Sequence, residues 1–471
     1  MKIPFFPVMV CDKIQTSPTG LKYLTCRDRS GFTREKGRNL METVYTSSWL
    51  NRLHSLSSRI LMPLMAVLFI STNTVVNLWS SKRIETVQNI LAILLLGIVA
   101  WYLLSSPKQR VKPWLKANFL VVAYFLVRLI SLWQSGFDYS VIRSLIFELF
   151  FLIGICDFTV NSKSRGKFYI TFFMWFEFIV TALCILIFLI VPHMDQNVQD
   201  LISSVTYYMD DQRAALFSNV NFAGAIAGIA IVISVIIYNK KVYNDKLVMA
   251  FGAYNLFCLI FFGARSAEAG MIAVAFFYVL KKVLPKISIK KMAISFLILM
   301  VITLIPLYVF IGYNESKLHM SYTVMEDKIN TISTERYLIW KESYMTQKDD
   351  LFFGKGSIKL DQQARKDMIA EYKPGQIDYR YFVTAELVPH NGYIGMISVT
   401  GWLGFILFVA ILIQRIWRSR NMKSGNWYLM LIYVFTINCF ECWFILTRFM
   451  ACFYMFLILE ADWEKEEDKL I

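Results

Sequence analysis

Apolar runs of roughly 17 to 25 residues recur along this chain, each long enough to cross about 30 Å of hydrocarbon as a helix. In hydrocarbon every backbone N–H and C=O must be satisfied internally, so such runs commit the chain to a helical membrane bundle. They fall near 60–79, 86–104, 114–133, 140–159, 168–191, 220–238, 247–263, 266–284, 292–312, 391–413, 427–444 and 447–463. The expected fold is therefore an all-α polytopic membrane protein with about 12 transmembrane helices, the last pair barely long enough for two. Composition agrees: 56% of the 471 residues are hydrophobic and 18% charged, where soluble domains carry about 25% charged residues.

Orientation follows from the basic residues. Lys108, Arg110 and Lys112 follow the second run, Lys163, Arg165 and Lys167 the fourth, and Lys240, Lys241 and Lys246 the sixth. Lys281 to Lys291 supply five more after the eighth, and Arg415, Arg418, Arg420 and Lys423 follow the tenth. The alternate short loops carry little beyond Lys82, Arg83, Arg213 and Arg265. Both termini are thus expected in the cytoplasm. The net charge of +15 is mostly this topological signal, which argues against nucleic-acid binding.

Five regions are expected. Residues 1–59 form a basic, irregular cytoplasmic segment without the hydrophobic core of a signal peptide; Met41 lies closer to the first span and is an alternative start. Spans one to nine occupy 60–313, one large loop 314–390, spans ten to twelve 391–463, and a cytoplasmic tail 464–471. A structureless loop of that length is improbable, so it should fold over the membrane surface. Ser333-Thr334 before ERYLIWKESYM predicts a short helix with Arg336 and Trp340 on one face, and KLDQQARKDMIAEYK predicts a second. No cysteine falls in the long loop, so no external disulfide framework is expected. Cys439 and Cys442 lie inside an expected span and read as packing residues.

Arg213 (in DDQRAALFSNVNFAG), Arg265 (in the turn FFGARSAEAG) and Arg336 all fall on the outward side. Arginine keeps its charge and offers a planar fork matching phosphate oxygens. Singly, each also fits an interface anchor; jointly they suit a pyrophosphate. Arg128 and Arg143 lie within spans, where an arginine usually marks a partner or a pathway. Glu148 and Glu177 are candidate partners, and Glu441 and Arg448 flank the last outer turn as another candidate pair. In ELVPHNGYIG, Pro389 and Asn391 are helix punctuation, since proline is excluded from helix interiors and asparagine caps the first turn. His390, beside that cap, has no such structural role. Gly354-Lys355-Gly356 lacks the context of a phosphate loop and reads as a turn. Gly392, Gly395, Gly401 and Gly404 read as a close-packing face of the tenth span.

These pieces, in order, resemble the O-antigen ligase and polymerase family of bacterial envelope enzymes over roughly residues 60–463. The motifs that carry the resemblance are RAALFSNVN at 213–221, GARS at 263–266, ERYLIW at 335–340, LFFGKG at 351–356, HNGY from His390, and GWLG at 401–404. Val220 stands where a proline is common and Ala264 where a serine is common, and neither change removes a charge. The resemblance implies a C-type glycosyltransferase-like fold in the bacterial cytoplasmic membrane, with the large loop and active site on the extracytoplasmic face. It implies a polyprenyl-pyrophosphate-linked oligosaccharide as donor, transfer without metal or other cofactor, and a chain-length regulator or a flippase as candidate partners.

On that basis Arg213, Arg265 and Arg336 are the candidate pyrophosphate-binding residues. His390 is the candidate base, since histidine offers a neutral imidazole near pH 7. Glu386 is the alternative base or the group that orients it. Arg128, Arg143, Trp340 and Asn391 are accessory candidates. A repeat-unit polymerase, whose acceptor is another lipid-linked unit, is the leading expectation. The alternatives are a ligase, whose acceptor is a lipid core or a protein, and a lipid-linked glycan flippase. Transporters tend to show repeated halves and interrupted helices, neither of which is evident in the sequence.

Overall fold

The computed structural model describes residues 81–105, 107–154, 166–205, 213, 216–217, 220–240, 243–313, 324–333, 336–372, 380–419 and 426–444, the stretches 13–16 and 22–25, and single positions at 49–65 and 455. Met1–Arg52 and Leu53–Ile471 are separate units. In the first, β1 (Lys13–Thr16) pairs antiparallel with β2 (Lys22–Thr25), Lys13 opposite Thr25, where the sequence suggested only irregular chain.

The second unit is built of helices. In chain order the first are α1 (Ser81–Leu104), α2 (Pro107–Ala117), α3 (Phe119–Gln134), α4 (Tyr139–Leu149, running into a π turn at Phe150–Gly154), α5 (Gly166–Ile190), α6 (Gln196–Val205), α7 (Val220–Lys240), α8 (Asp245–Phe262), α9 (Arg265–Val283), α10 (Ile289–Ile302) and α11 (Leu304–Tyr313). Among the described residues six helical stretches are long and apolar enough to cross a membrane. The pair α2–α3, bent by 79° near the expected start of the third span, passes the same length and hydropathy test only when its two helices are taken together. Most of the expected spans 60–79 and 447–463 lies outside the described residues. Isoleucine, leucine and phenylalanine side chains such as Ile90, Ile93, Leu129, Ile179, Ile260, Ile272 and Phe276 stand exposed on these helices, a surface suited to lipid rather than water.

Helices α12 (Val324–Ile332), α13 (Arg336–Gln347), α14 (Ile358–Ala370) and the short α15 (Arg380–Thr384) lie within 314–390 and are together termed the cap. Ser333 Oγ accepts from Tyr337 N at 3.0 Å and Ser357 Oγ from Leu360 N at 3.3 Å, so both expected helices start on serine caps. Tyr337, Leu338, Ile369, Tyr381 and Ala385 close a small core with Ile311 of α11. Beside it lie buried charges. Lys341 donates to Glu326 at 2.8 Å, and Arg365 bridges Asp361 at 3.1 Å and Glu342 at 3.4 Å. Burial pushes the Glu342 carboxyl up to about 7, against the lowering effect of Thr384 and Arg365.

Helix α16 (Gly392–Arg418) covers the expected tenth span, and it is not continuous. Gly401 sits at φ 64, ψ 177, which corrects the expectation of uninterrupted helices. The LFFGKG segment fills the break: Lys355 N and Gly356 N donate to the Ser398 and Val399 carbonyls at 2.7 and 2.9 Å, and Trp402 N donates to Leu351 O at 3.0 Å. The freed backbone groups are therefore satisfied by another segment, as broken membrane helices require. Arg128 locks the arrangement from α3. It donates to Glu148 through Nε and Nη2, both at 2.9 Å, to Gly356 O at 2.8 Å and to Val399 O at 3.1 Å. Of its two candidate partners Glu148 is the one it holds; Glu177 is buried on α5.

A Cβ at Gly401 would stand 2.2 Å from the Phe352 carbonyl. Gly401→Ala is expected to lose stability, roughly 1–3 kcal/mol from a backbone conformation essentially confined to glycine, with the clash added. Gly97→Ala meets nothing within 4 Å and should be neutral or mildly stabilising in the same thermal unfolding measurement. Equal effects of the two would show that the break is not needed.

The eleventh expected span, 427–444, also differs. Its helix α17 (Tyr428–Ile437) has only 10 residues, about 15 Å of rise, and stops where Asn438 turns the chain. Nine of its ten side chains are buried, as expected of a helix that is apolar all round.

Candidate functional site

A cavity of about 830 Å³ opens where the start of α7, the α8–α9 turn, the start of α16 and the end of α17 meet the cap. Asn221, Arg265, Ser266, Arg336, Trp340 and His390 line it, with an apolar wall that includes Ile332, Leu387 and Phe440. Sequence-distant residues of four motifs are thereby brought together.

Arg265 is the first residue of α9 and is exposed. Gly263, at φ 63, ends α8 and makes the turn that sets it there. Ala264 occupies the cap position and offers no side-chain bond to the first turn, so those N–H groups remain available. Ser266 is buried, lines the same cavity, and its hydroxyl has no hydrogen-bond partner among the described residues. Arg336, one helical turn before Trp340 on α13, donates through Nη2 to Glu441 at 3.3 Å. The one-face placement predicted for Arg336 and Trp340 is what the cavity uses.

The chain leading to His390 is clamped by its carbonyls. Arg365 donates to Thr384 O at 3.1 Å and Leu387 O at 2.6 Å, Gln362 to Glu386 O at 2.6 Å, and Trp340 Nε1 to Pro389 O at 2.7 Å. His390 itself sits at φ 46, a left-handed conformation that histidine adopts more readily than most residues. Asn391 follows as the cap of α16: its Oδ1 accepts from Tyr393 N and Ile394 N, both at 3.0 Å, and its Nδ2 donates to Cys439 O at 3.1 Å.

Other candidates fall elsewhere. Arg213 is exposed and donates to Phe261 O at 3.0 Å, with its guanidinium 5.8 Å from the Phe261 ring centre, next to the α8–α9 turn but outside the cavity lining. Glu386 is exposed and pairs with Lys366 at 2.9 Å, a bond that holds its carboxyl below the ordinary range. Arg128 and Arg143 do not line the cavity, and Arg448 lies outside the described residues. The carboxylate that does face His390 is Glu441, 3.4 Å from Nδ1. Sequence adjacency had paired it with Arg448, and no local pattern marks its true neighbours.

Residues 247–409 match the O-antigen ligase family, a segment that contains Arg265, Arg336, Trp340 and His390 and the LFFGKG segment in the helix break. No curated protein and no solved structure matches the chain. Six helices long and apolar enough to cross a membrane among the described residues, together with the match over 247–409, are consistent with the O-antigen ligase/polymerase family.

Proposed function

We propose that the protein is a membrane polymerase of surface polysaccharide, transferring a glycan from a polyprenyl-pyrophosphate donor to a sugar hydroxyl of another lipid-linked repeat unit. One observation carries this reading: a single cavity in the O-antigen ligase domain gathers two arginine forks, an aromatic ring and a histidine. In the transfer, the acceptor oxygen bonds to the anomeric carbon as the bond from that carbon to the phosphate oxygen breaks. The lipid pyrophosphate leaves with the electron pair, and His390 takes the hydroxyl proton. Arg265 and Arg336 stabilise the departing charge, with the first turn of α9 and Ser266 Oγ as further donors and arginine charge in the place a metal would fill. Arg213 braces the α8–α9 turn from outside. Trp340 supports the acceptor sugar through its face, and the site lies on the extracytoplasmic side of the bacterial cytoplasmic membrane.

A strain lacking the gene tests the reading. Surface glycan reduced to single repeat units on the final acceptor is the expected result. Long chains accumulating on the polyprenyl carrier would instead make the protein a ligase. Unchanged lipid-linked and surface glycans would remove both readings.

A further inference from the structure

The carboxylate of Glu441 collects donors from three other elements. Its Oε1 accepts from Asn221 Nδ2 of α7 at 3.0 Å and from Arg336 Nη2 of α13 at 3.3 Å, while Oε2 faces His390 Nδ1 at 3.4 Å. These donors come from three of the sequence motifs, yet the residue they meet on lies beyond 247–409. Glu441 is only 6% exposed, so its charge is compensated by these groups rather than by bulk water.

The turn that carries Glu441 is tied to the turn that carries His390. Asn438 Oδ1 accepts from Trp443 N at 3.1 Å and Phe444 N at 2.9 Å, closing the loop around Glu441, and Asn438 Nδ2 donates to Val434 O at 2.8 Å. Across the gap, Gly392 N donates to Asn438 O at 2.7 Å and Asn391 Nδ2 to Cys439 O at 3.1 Å. A Cβ at Gly392 would stand 2.0 Å from Asn438 Oδ1, so the Asn438 side chain packs directly on the Gly392 backbone. The imidazole and the carboxylate are thereby set by bonded backbone on both sides.

We infer that Glu441 is the positioning residue of this site, holding the His390 ring through Nδ1 and the Arg336 fork through the same carboxylate; the inference rests on reading His390 as the base. A carboxylate acceptor places a proton on Nδ1 and leaves the lone pair on Nε2, the state that accepts a proton from a hydroxyl. Once Nε2 is protonated, the imidazolium stands beside an anion, a stabilisation absent from the starting state. Glu386, solvent-exposed and paired with Lys366, is placed to do neither.

The test is a double-mutant cycle on the full-length protein in membranes, with a polyprenyl-pyrophosphate oligosaccharide as probe and single-turnover transfer as readout. Glu441→Gln keeps the side chain's size and is expected to lower kcat about 10²-fold or more, within the range of a lost general base, with KM little changed. In a His390→Asn background, which tolerates the left-handed turn at 390, the same change should cost less than about threefold, because residues acting as a unit are not additive. An additive loss would assign Glu441 a merely structural role, and undiminished transfer by Glu441→Gln would overturn the inference outright. Full transfer by His390→Asn would instead reject the base reading on which the inference rests. Should Glu441→Gln fail to fold, Glu441→Asp, which keeps the charge and withdraws it by one methylene, carries the same cycle: non-additivity supports the inference and additivity rejects it.

Discussion

Replacing His390 is expected to lower glycan transfer about 10²–10⁴-fold, the usual worth of a general base, while the protein stays inserted and folded. The choice of replacement matters because His390 sits at φ 46. Alanine takes up that conformation several-fold less readily than histidine or asparagine, so a loss with alanine alone could report the turn rather than the ring. Asparagine tolerates that conformation and can still donate to Glu441, but it carries no basic nitrogen. His390→Asn should therefore unfold at a temperature close to wild type and still fail to extend chains. Trp340 Nε1 bonds Pro389 O, and Asn391 caps α16, so the backbone on either side of the ring has its own supports. Normal chain length in the His390→Asn strain would remove histidine from the chemistry.

Why His390 could be singled out while its partner could not is a matter of range. The signals that worked are local: apolar runs for α5, α7 and α8, a serine before ERYLIWKESYM for α13, and an asparagine cap for α16. Arg336 and Trp340 share a face because a helix turns every 3.6 residues, which any stretch of sequence shows. The Glu441 contacts depend instead on how three remote elements dock, and Arg448 was simply the nearest charge in the sequence. The break at Gly401 is of the same kind. GWLG looks like a packing face, and only the arrival of LFFGKG, some 50 residues earlier in the chain, satisfies the backbone groups that a break exposes. Asn438 ends α17 early by a comparable device, collecting two backbone N–H groups of the following turn in its side-chain oxygen. The interrupted α16 also removes one sequence argument against a transporter. What continues to separate the readings is the cavity that gathers Arg265, Arg336, Trp340 and His390, all within the stretch that matches the O-antigen ligase family.

Arg265→Lys is expected to cut kcat about 10²-fold with little change in stability, and the contrast with Arg336 shows why. Arg265 is exposed and forms no hydrogen bond or ion pair among the described residues, so the fold asks little of it; exposed substitutions of this kind usually stay within about 0.5 kcal/mol. Its fork is available to a ligand. Lysine keeps the charge but cannot make two parallel bonds to phosphate oxygens, and losing one preorganised donor to a transition-state oxyanion typically costs about 10²–10³ in kcat. Arg336 already commits Nη2 to Glu441, so Arg336→Lys should disturb both transfer and thermal stability. Arg213 bonds the end of α8 and should give the mildest loss of the three. Measuring initial rates and unfolding temperatures for all three lysine variants separates the roles. If Arg265→Lys transfers at the wild-type rate, the pyrophosphate does not sit at the start of α9, and the free N–H groups and Ser266 hydroxyl there need another explanation.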